Sequence, residues 1–296
     1  MAMNMQTPIT ASILAALALT ASATADGAGF DRSWLAGDYW NDGKAEFNIY
    51  SGSVARYGEP RAGSRVIHIL VRENFAPEAL VKADDWRQQG AYPVLKLNQI
   101  LHVPTGLYVY QQMHSAFWRV ADGELVKATL TSNDSCGNSF KLIEAAGDQL
   151  RYEWDTYWQG MVAGDETIAR PAGGVFYDEL PALVRTIDFA RGARSFEVPL
   201  AASIIGSRKD EIAFPMATVS VDPQSGDGTI SVSVEHAAGS DEFLLAAEPP
   251  HLLLAWRRAD DGMLELEHSL KVDYWNYNQP GDLERALDDQ SLRLYP

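Results

Sequence analysis

The sequence predicts a mainly β protein: a curved antiparallel sheet or open barrel with one central helix packed on it. Three observations lead there. Apolar and polar residues alternate over many short stretches, the period-two mark of half-buried strands. Turn formers such as Gly147-Asp148, Gly226-Asp227-Gly228 and Asp260-Asp261-Gly262 separate several of these stretches. Near the middle of the chain, one longer segment carries its apolar residues at helical spacing instead.

The first 25 residues, MAMNMQTPITASILAALALTASATA, contain no charged side chain. Residues 9–23 form an apolar Ala/Leu-rich run, and Ala23-Thr24-Ala25 supplies the small-x-small pattern that a signal peptidase accepts. The run is shorter than the ~20 apolar residues that span a bilayer. Positive charge at its start comes from the α-amino group alone. Residues 1–25 are therefore expected to be a signal peptide, cleaved before Asp26, and the mature protein to be periplasmic or secreted. Residues 26–296 then read as a single β-rich domain. The alternative is two halves split near 171–190, although Pro171-Ala172-Gly173-Gly174 is short for a linker.

Strand signals follow in order. Ala45, Phe47 and Ile49 alternate with Glu46, Asn48 and Tyr50. Val66–Val71, Val94–Asn98, Leu107–Tyr110, Lys127–Thr131, Phe140–Ala145 and Leu150–Trp154 continue the pattern. After the middle of the chain come Ser195–Leu200, Ala217–Val221, Thr229–Glu235, Glu242–Ala246, Leu252–Arg257 and Met263–Trp275. The main helix is expected over Val175–Phe189, where Phe176, Leu180, Leu183 and Ile187 share one face. Pro181 sits in its first turns or kinks it, and Gly192 helps to stop it. A second, short helix is expected over Ala76–Trp86, and the tail 281–287 adds a turn.

Several segments carry a resemblance. Tyr39-Trp40 with Asp42–Glu46, ARYGEPRAG (55–63), VIHILVREN (66–74), PVLKLN (93–98), TGLYVYQQMHS (105–115) and KATLTSNDSCGNSF (127–140) resemble a family of uncharacterised bacterial envelope proteins. Some of its members carry a septum-formation inhibitor label. The second half, through FYDELPALVRTIDF (176–189) and LLLAWRRADDGMLELEHSLKVDYW (252–275), is similar to domain-of-unknown-function 3108 envelope proteins. The resemblance implies a β-rich periplasmic or secreted protein. It supplies no catalytic residue.

Composition narrows the function. Forty acidic residues against 24 basic ones give a net charge of −16, which repels phosphate backbones, and no basic run offsets it. Nucleic acid is therefore not an expected partner. Cys136, the one cysteine, has no internal disulfide partner. It reads as a small buried residue at a strand-turn junction, because Asp134 disfavours its thiolate. The six histidines form no HxH, HxxxH or HExxH pair, so no metal or cofactor is expected. His102 and His114 on neighbouring strands would be the remaining long-range pair. Asp222 and Asp227 lack the alternating oxygen ligands of a calcium loop. ARYGEPRAG reads as a strand-end turn in which Arg and Glu pair and Gly58 supplies an unusual φ, with an anion or glycan contact as the alternative.

Aromatic residues are the richest remaining signal. Period-two spacing puts Tyr108 with Tyr110, and Tyr152 with Trp154, on one face of each strand. These four are the candidate ligand-binding residues, and one side of a β core is the competing reading. Tyr274, Trp275 and Tyr277 form a further cluster. The expected function is non-enzymatic: an exported envelope protein that binds an apolar or amphipathic ligand, lipid-like or glycan, or another envelope protein. A hydrolase acting on an envelope ester or glycan and a structural or interaction module are the alternatives.

Overall fold

The computed structural model describes residues 29–226 and 228–295. The expected signal peptide and Asp227 lie outside them. No helix among the described residues is long and apolar enough to cross a membrane.

The expected strands form, and most are longer than their apolar cores, but Leu107 and Tyr108 lie in the bend before the strand that starts at Val109, and the last strand ends at Val272 rather than Trp275. The first half holds β1 (Ala45–Arg56), β2 (Glu59–Ala76), β3 (Val81–Lys82), β4 (Tyr92–Pro104), β5 (Val109–Arg119), β6 (Leu125–Asp134), β7 (Gly137–Ala146), β8 (Gln149–Asp155) and β9 (Ala163–Ala169). The second holds β10 (Val175–Phe176), β11 (Arg194–Ala201), β12 (Met216–Gly226), β13 (Thr229–His236), β14 (Gly239–Ala246), β15 (Leu253–Arg257) and β16 (Met263–Val272). Among the described residues these 16 strands make one open, curved sheet, with β9 at one edge and β10 at the other. Its order is that of two meanders joined where β1 pairs antiparallel with β16. Strands from both sides of residues 171–190 thus belong to one sheet. The Gly147-Asp148 turn forms as expected, with Ala146 opposite Gln149 and Gly147 at φ +66°. Tyr57 and Gly58 turn β1 into β2 with φ values of +57° and +74°, and Arg61 lies 3.5 Å from Glu59.

The central segment is helical only in pieces. A 3-10 turn (Tyr177–Glu179), the single α turn α1 (Leu180–Leu183) and a second 3-10 turn (Val184–Thr186) run end to end. Ile187 is already extended, at ψ 133°. Pro181 stands at the start of α1, where its missing N–H costs nothing. The face read from the sequence is buried: Phe176, Leu180, Leu183 and Ile187 are all in the core. Leu180, Leu183, Val184 and Ile187 belong to a cluster with residues of β11–β16 and with Tyr50, Val66, Leu101 and Tyr110, whereas Phe176 and Ala182 belong to one built mostly from β4–β8. A segment of barely three turns therefore contributes to both main apolar clusters.

The helix expected over 76–86 does not form. Pro77–Leu80 instead make a turn, Leu80 takes φ +48°, and Val81–Lys82 fold back on Phe75–Ala76 as β3. Pairing with β2 offers these residues hydrogen bonds that a lone short helix would have to nucleate at a cost. At the tail, α2 (Asp282–Asp288) lays Ala286 on Leu270 and Val272 of β16.

Charge also fixes the central segment. The Arg185 guanidinium, fully buried, donates from Nη1 to Glu46 Oε1 at 2.6 Å and from Nη2 to Glu46 Oε2 at 2.9 Å. Arg185 also donates to the Pro250 carbonyl at 3.0 Å. Tyr39 and Asn48 donate to Glu46 as well, at 2.8 and 2.7 Å. Burial opposes the Glu46 charge, but Arg185 and these donors hold its carboxyl below the usual carboxylate range. A buried pair so bonded punishes loss of either member more than loss of both. Glu46→Gln or Arg185→Met should each cost about 3–5 kcal/mol, and the Glu46→Met/Arg185→Met double variant clearly less than their sum. Urea unfolding of the three proteins measures this; additive losses would show that the pair is not coupled.

Candidate functional site

Residues paired directly across neighbouring strands share a face of the sheet. One such row crosses the concave face: Ser269, Asn48, His68, Gln99, His114, Leu130, Lys141 and Trp154. Its members from Ser269 to His114, and Lys141, are polar and buried. Ser269 donates to Asn48 at 2.6 Å, and the Gln99 amide donates to the Asp178 carbonyl at 2.7 Å. Asp178 accepts from the Ile204 N–H at 2.8 Å and from Ser203 at 2.5 Å. Glu179 accepts from the Trp118 indole and from the Phe176 N–H. The central segment thus lies over a polar belt and satisfies much of it, as buried polar groups require.

Between Gln99 and Asp178 at this belt and Val54–Arg56 at the end of β1, a cavity of about 160 Å³ opens. Gln99, Gln112, Asp178 and Ser203 give it polar walls; Val54, Val66, Leu101, Val103 and Leu264 give it apolar ones. A dry cavity of about 150 Å³ holds a molecule the size of benzene. Two arginines far apart in the chain also line it, Arg56 at the end of β1 and Arg258 just past β15. The Arg56 guanidinium lies 4.0 Å from the Tyr110 ring centroid, and its buried Nε has no partner among the described residues. The Arg258 guanidinium lies 4.7 Å from the Trp256 ring and 5.3 Å from that of Tyr177, and pairs with Asp260 at 3.0 Å. Burial works against the Arg258 charge, but Tyr177, Asp260 and Asp241 together hold it above its ordinary range. Each cation therefore has an aromatic face behind it, which stabilises charge in a desolvated place. At the mouth, the Tyr57 hydroxyl bonds those of Tyr110 and, at 2.9 Å, Tyr108. Exposed Leu107 and Tyr57 make the lip beside them apolar.

The four candidate aromatics do not share one groove. Tyr110 lines the cavity at 3% exposure, with Tyr108 packed at its side. Tyr152 is fully buried in the other main apolar cluster, and its hydroxyl accepts the Asp210 N–H at 3.3 Å. Trp154 is half-buried, with the Lys209 ammonium 4.6 Å from its ring. The register explains the separation: Tyr152 shares a row with Ala116, six residues along β5 from Tyr110 and three strands away. That is roughly 20 Å along the strand and 14 Å across it. Period two fixed which residues share a strand face, but not which strands come together at a rim.

Arg258 and Trp256 were not singled out by the sequence, and Arg56 entered only through the alternative reading of ARYGEPRAG as an anion or glycan contact. A single signal pointed that way, the density of Arg and Tyr in ARYGEPRAG. The expected burial of Cys136 is also corrected. It is exposed in the hairpin between β6 and β7, where Asp134 accepts its backbone N–H at 2.9 Å. A two-residue hairpin end has no second layer to cover it. His102 and His114 lie on opposite faces, because His114 pairs with Gln99, three residues from His102. His236 does face a carboxylate, Asp241, but its other ring nitrogen accepts the Ala238 N–H at 3.3 Å. Tyr177 and Trp256 donate to the same Asp241, so this is a knot of side-chain bonds with no nitrogen spare for a nucleophile.

No protein-family model and no curated protein matches this chain. Two solved structures are similar to it. A domain-of-unknown-function 1089 family protein from Pseudomonas aeruginosa shares 12% identity over 62% of this chain and 87% of its own, with a TM-score of 0.35. A β-barrel-like protein of domain of unknown function 1849 from Brucella abortus shares 8% identity over 78% of this chain and 98% of its own, with a TM-score of 0.43.

Two measurements check the site's surroundings. Burial and, after it, the Arg185 charge push the His68 imidazole down to about 3; burial likewise lowers His114, against the pull of Asp178 and Glu179. Both stay neutral in the fold, whereas an unfolded chain protonates them near pH ~6.5. Their contribution is thus complete above that pH and is lost as pH falls below it, for His68 down to about 3. For His68 the loss is roughly 1.4 kcal/mol per pH unit over that window. The stability of His68→Met should therefore fall less steeply with acid than that of the parent protein; parallel curves would contradict the burial argument. Separately, a thiol reagent should titrate Cys136 in the native protein at nearly the rate of a free cysteine, and protection until unfolding would contradict its exposure.

Proposed function

We propose that this chain is an exported, non-enzymatic envelope protein that binds an amphipathic anion, seating the anionic head in the Arg56–Arg258 cavity. One observation carries this reading: two aromatic-backed guanidinium groups converge on one small, half-apolar cavity, and the Nε of Arg56 has no partner there. Guanidinium groups match the planar geometry of carboxylate and phosphate oxygens. Asp260 pairs with Arg258, and the other lining carboxylate, Asp178, accepts from Ser203 and the Ile204 N–H, which leaves Arg56 as the lining cation without an ion pair among the described residues. The cavity is too small for a whole lipid. The apolar part of the ligand lies outward across Tyr57, Leu107 and Tyr108, whose rings and side chain form the lip. Export rests on the leader-like residues 1–25, and the envelope setting on the resemblance carried by ARYGEPRAG and its neighbouring segments.

The test is a titration with dodecanoate against dodecanol, which have the same chain and differ in head charge. The carboxylate should bind at least tenfold more tightly. Arg56→Gln should abolish about tenfold of that preference, roughly 1.4 kcal/mol, with its melting temperature little changed. Equal binding of acid and alcohol, or none of either, would refute the proposal.

A further inference from the structure

A second cleft lies at the opposite end of β1. It has a volume of about 440 Å³ and is lined by Trp40, Lys44, Arg72, Glu73, Asn74, Lys82, Asp84, Trp86 and Trp275, among others. This is within the range of about 300–1,000 Å³ usual for small-molecule sites. Three elements build it: the approach to β1, the end of β2 with the β3 turn, and the 3-10 turn Tyr274–Asn276 that follows β16.

Its aromatic residues are unusual in being left in water. Trp86 is 61% exposed and Trp275 47% exposed, although each has a large apolar surface to hide. Trp275 is held by an edge contact with Tyr274 at 5.4 Å, and Trp86 carries the Arg87 guanidinium 4.6 Å from its ring. Trp40 is buried and lines the same cleft, and its indole N–H has no hydrogen-bond partner among the described residues. Around these rings stand polar side chains of both signs: Lys44, Arg72 and Lys82 against Glu73 and Asp84. Glu73 is anchored by Lys96 at 2.6 Å, and Arg72 by Asn41 at 3.0 Å, so neither is a loose surface group.

This combination matches one ligand chemistry. A pyranose ring presents a flat C–H face that stacks on an indole and a rim of hydroxyls that both donate and accept. Mixed charge with fixed carboxylate, amide and guanidinium groups suits those hydroxyls and disfavours a strongly charged ligand. A purely apolar ligand would leave the polar rim unpaired at a cost. We infer that the Trp86–Trp275 cleft is a binding site for a neutral oligosaccharide whose sugar rings stack on the two exposed indoles. It is independent of the anion cavity, since β1 spans 12 residues and places the two rims roughly 35–40 Å apart.

Titration calorimetry of the mature protein with chitohexaose and with cellohexaose tests this. Saturable binding of at least one, with quenching or a blue shift of tryptophan fluorescence, is expected. Trp86→Ala and Trp275→Ala should each weaken it tenfold or more, and Trp86→Phe should keep most of the affinity. Arg56→Gln should leave it unchanged, which separates this site from the anion cavity. Both tryptophans are exposed, so thermal melts should show the Ala variants folded. No saturation by either sugar up to about 10 mM, or binding that survives the Trp86→Ala/Trp275→Ala double variant, would overturn the inference.

Discussion

The buried ion pair between Glu46 and Arg185 is the constraint from which the rest of the structure follows. Glu46 stands on β1, the strand at which the two meanders meet, and Arg185 on the segment that fills the concave face. A charge in that position is tolerable only if every one of its hydrogen bonds is met. Meeting them recruits Tyr39 from before the sheet, Asn48 from the neighbouring row and the Pro250 carbonyl from the β14–β15 loop. Apolar packing alone would let the short helical pieces slide along the sheet. The pair fixes both their register and their orientation.

Once the segment is fixed, the polar belt beneath it follows. Gln99, Trp118 and Lys141 project inward where a β core would ordinarily be apolar, and each finds a partner on the chain laid over it. Two main apolar clusters fill the interior: one joins Tyr50, Val66, Leu101 and Tyr110 of the first meander to the second meander, and the other holds Leu70, Leu97, Trp118 and Tyr152. Polar networks such as the belt are costly when incomplete. The buried side-chain nitrogens left without partners include those of His68, Arg56 and Trp40. Arg56 and Trp40 line the two rim sites, and His68 sits in the belt between them. Two others, Arg65 Nε on β2 and Arg194 Nη2 on β11, belong to neither rim site.

The line between the two rim sites runs the length of β1. At one end the sheet opens onto a small cavity with two backed cations; at the other, a broad cleft displays indoles to water. An amphipathic anion and a sugar polymer would then be held by one rigid sheet without competing for space. Rigidity between the rims comes from the long pairings of β1, β2 and β4, whose registers run almost the full length of each strand.

Much of this was legible in the sequence. Strand alternation, the Gly147-Asp148 turn and the apolar face of Phe176, Leu180, Leu183 and Ile187 are local properties, and local periodicity specifies them. The helix expected at Ala76–Trp86 failed because strand pairing with β2 outcompeted a weak local preference, a choice no short window contains. The site was legible in part. Tyr108 and Tyr110 do belong to a cavity mouth, whereas Tyr152 belongs to a core and Trp154 to a separate contact with Lys209. Arg56 and Arg258, about 200 residues apart, meet because β1 closes on β16 and a turn then brings Arg258 to the rim. The sequence alone determined which residues face together along each strand, because side-chain alternation is a property of the backbone. Only the tertiary structure decided which strands share a rim, because register and closure depend on the Glu46–Arg185 pair and on packing between residues far apart in the chain.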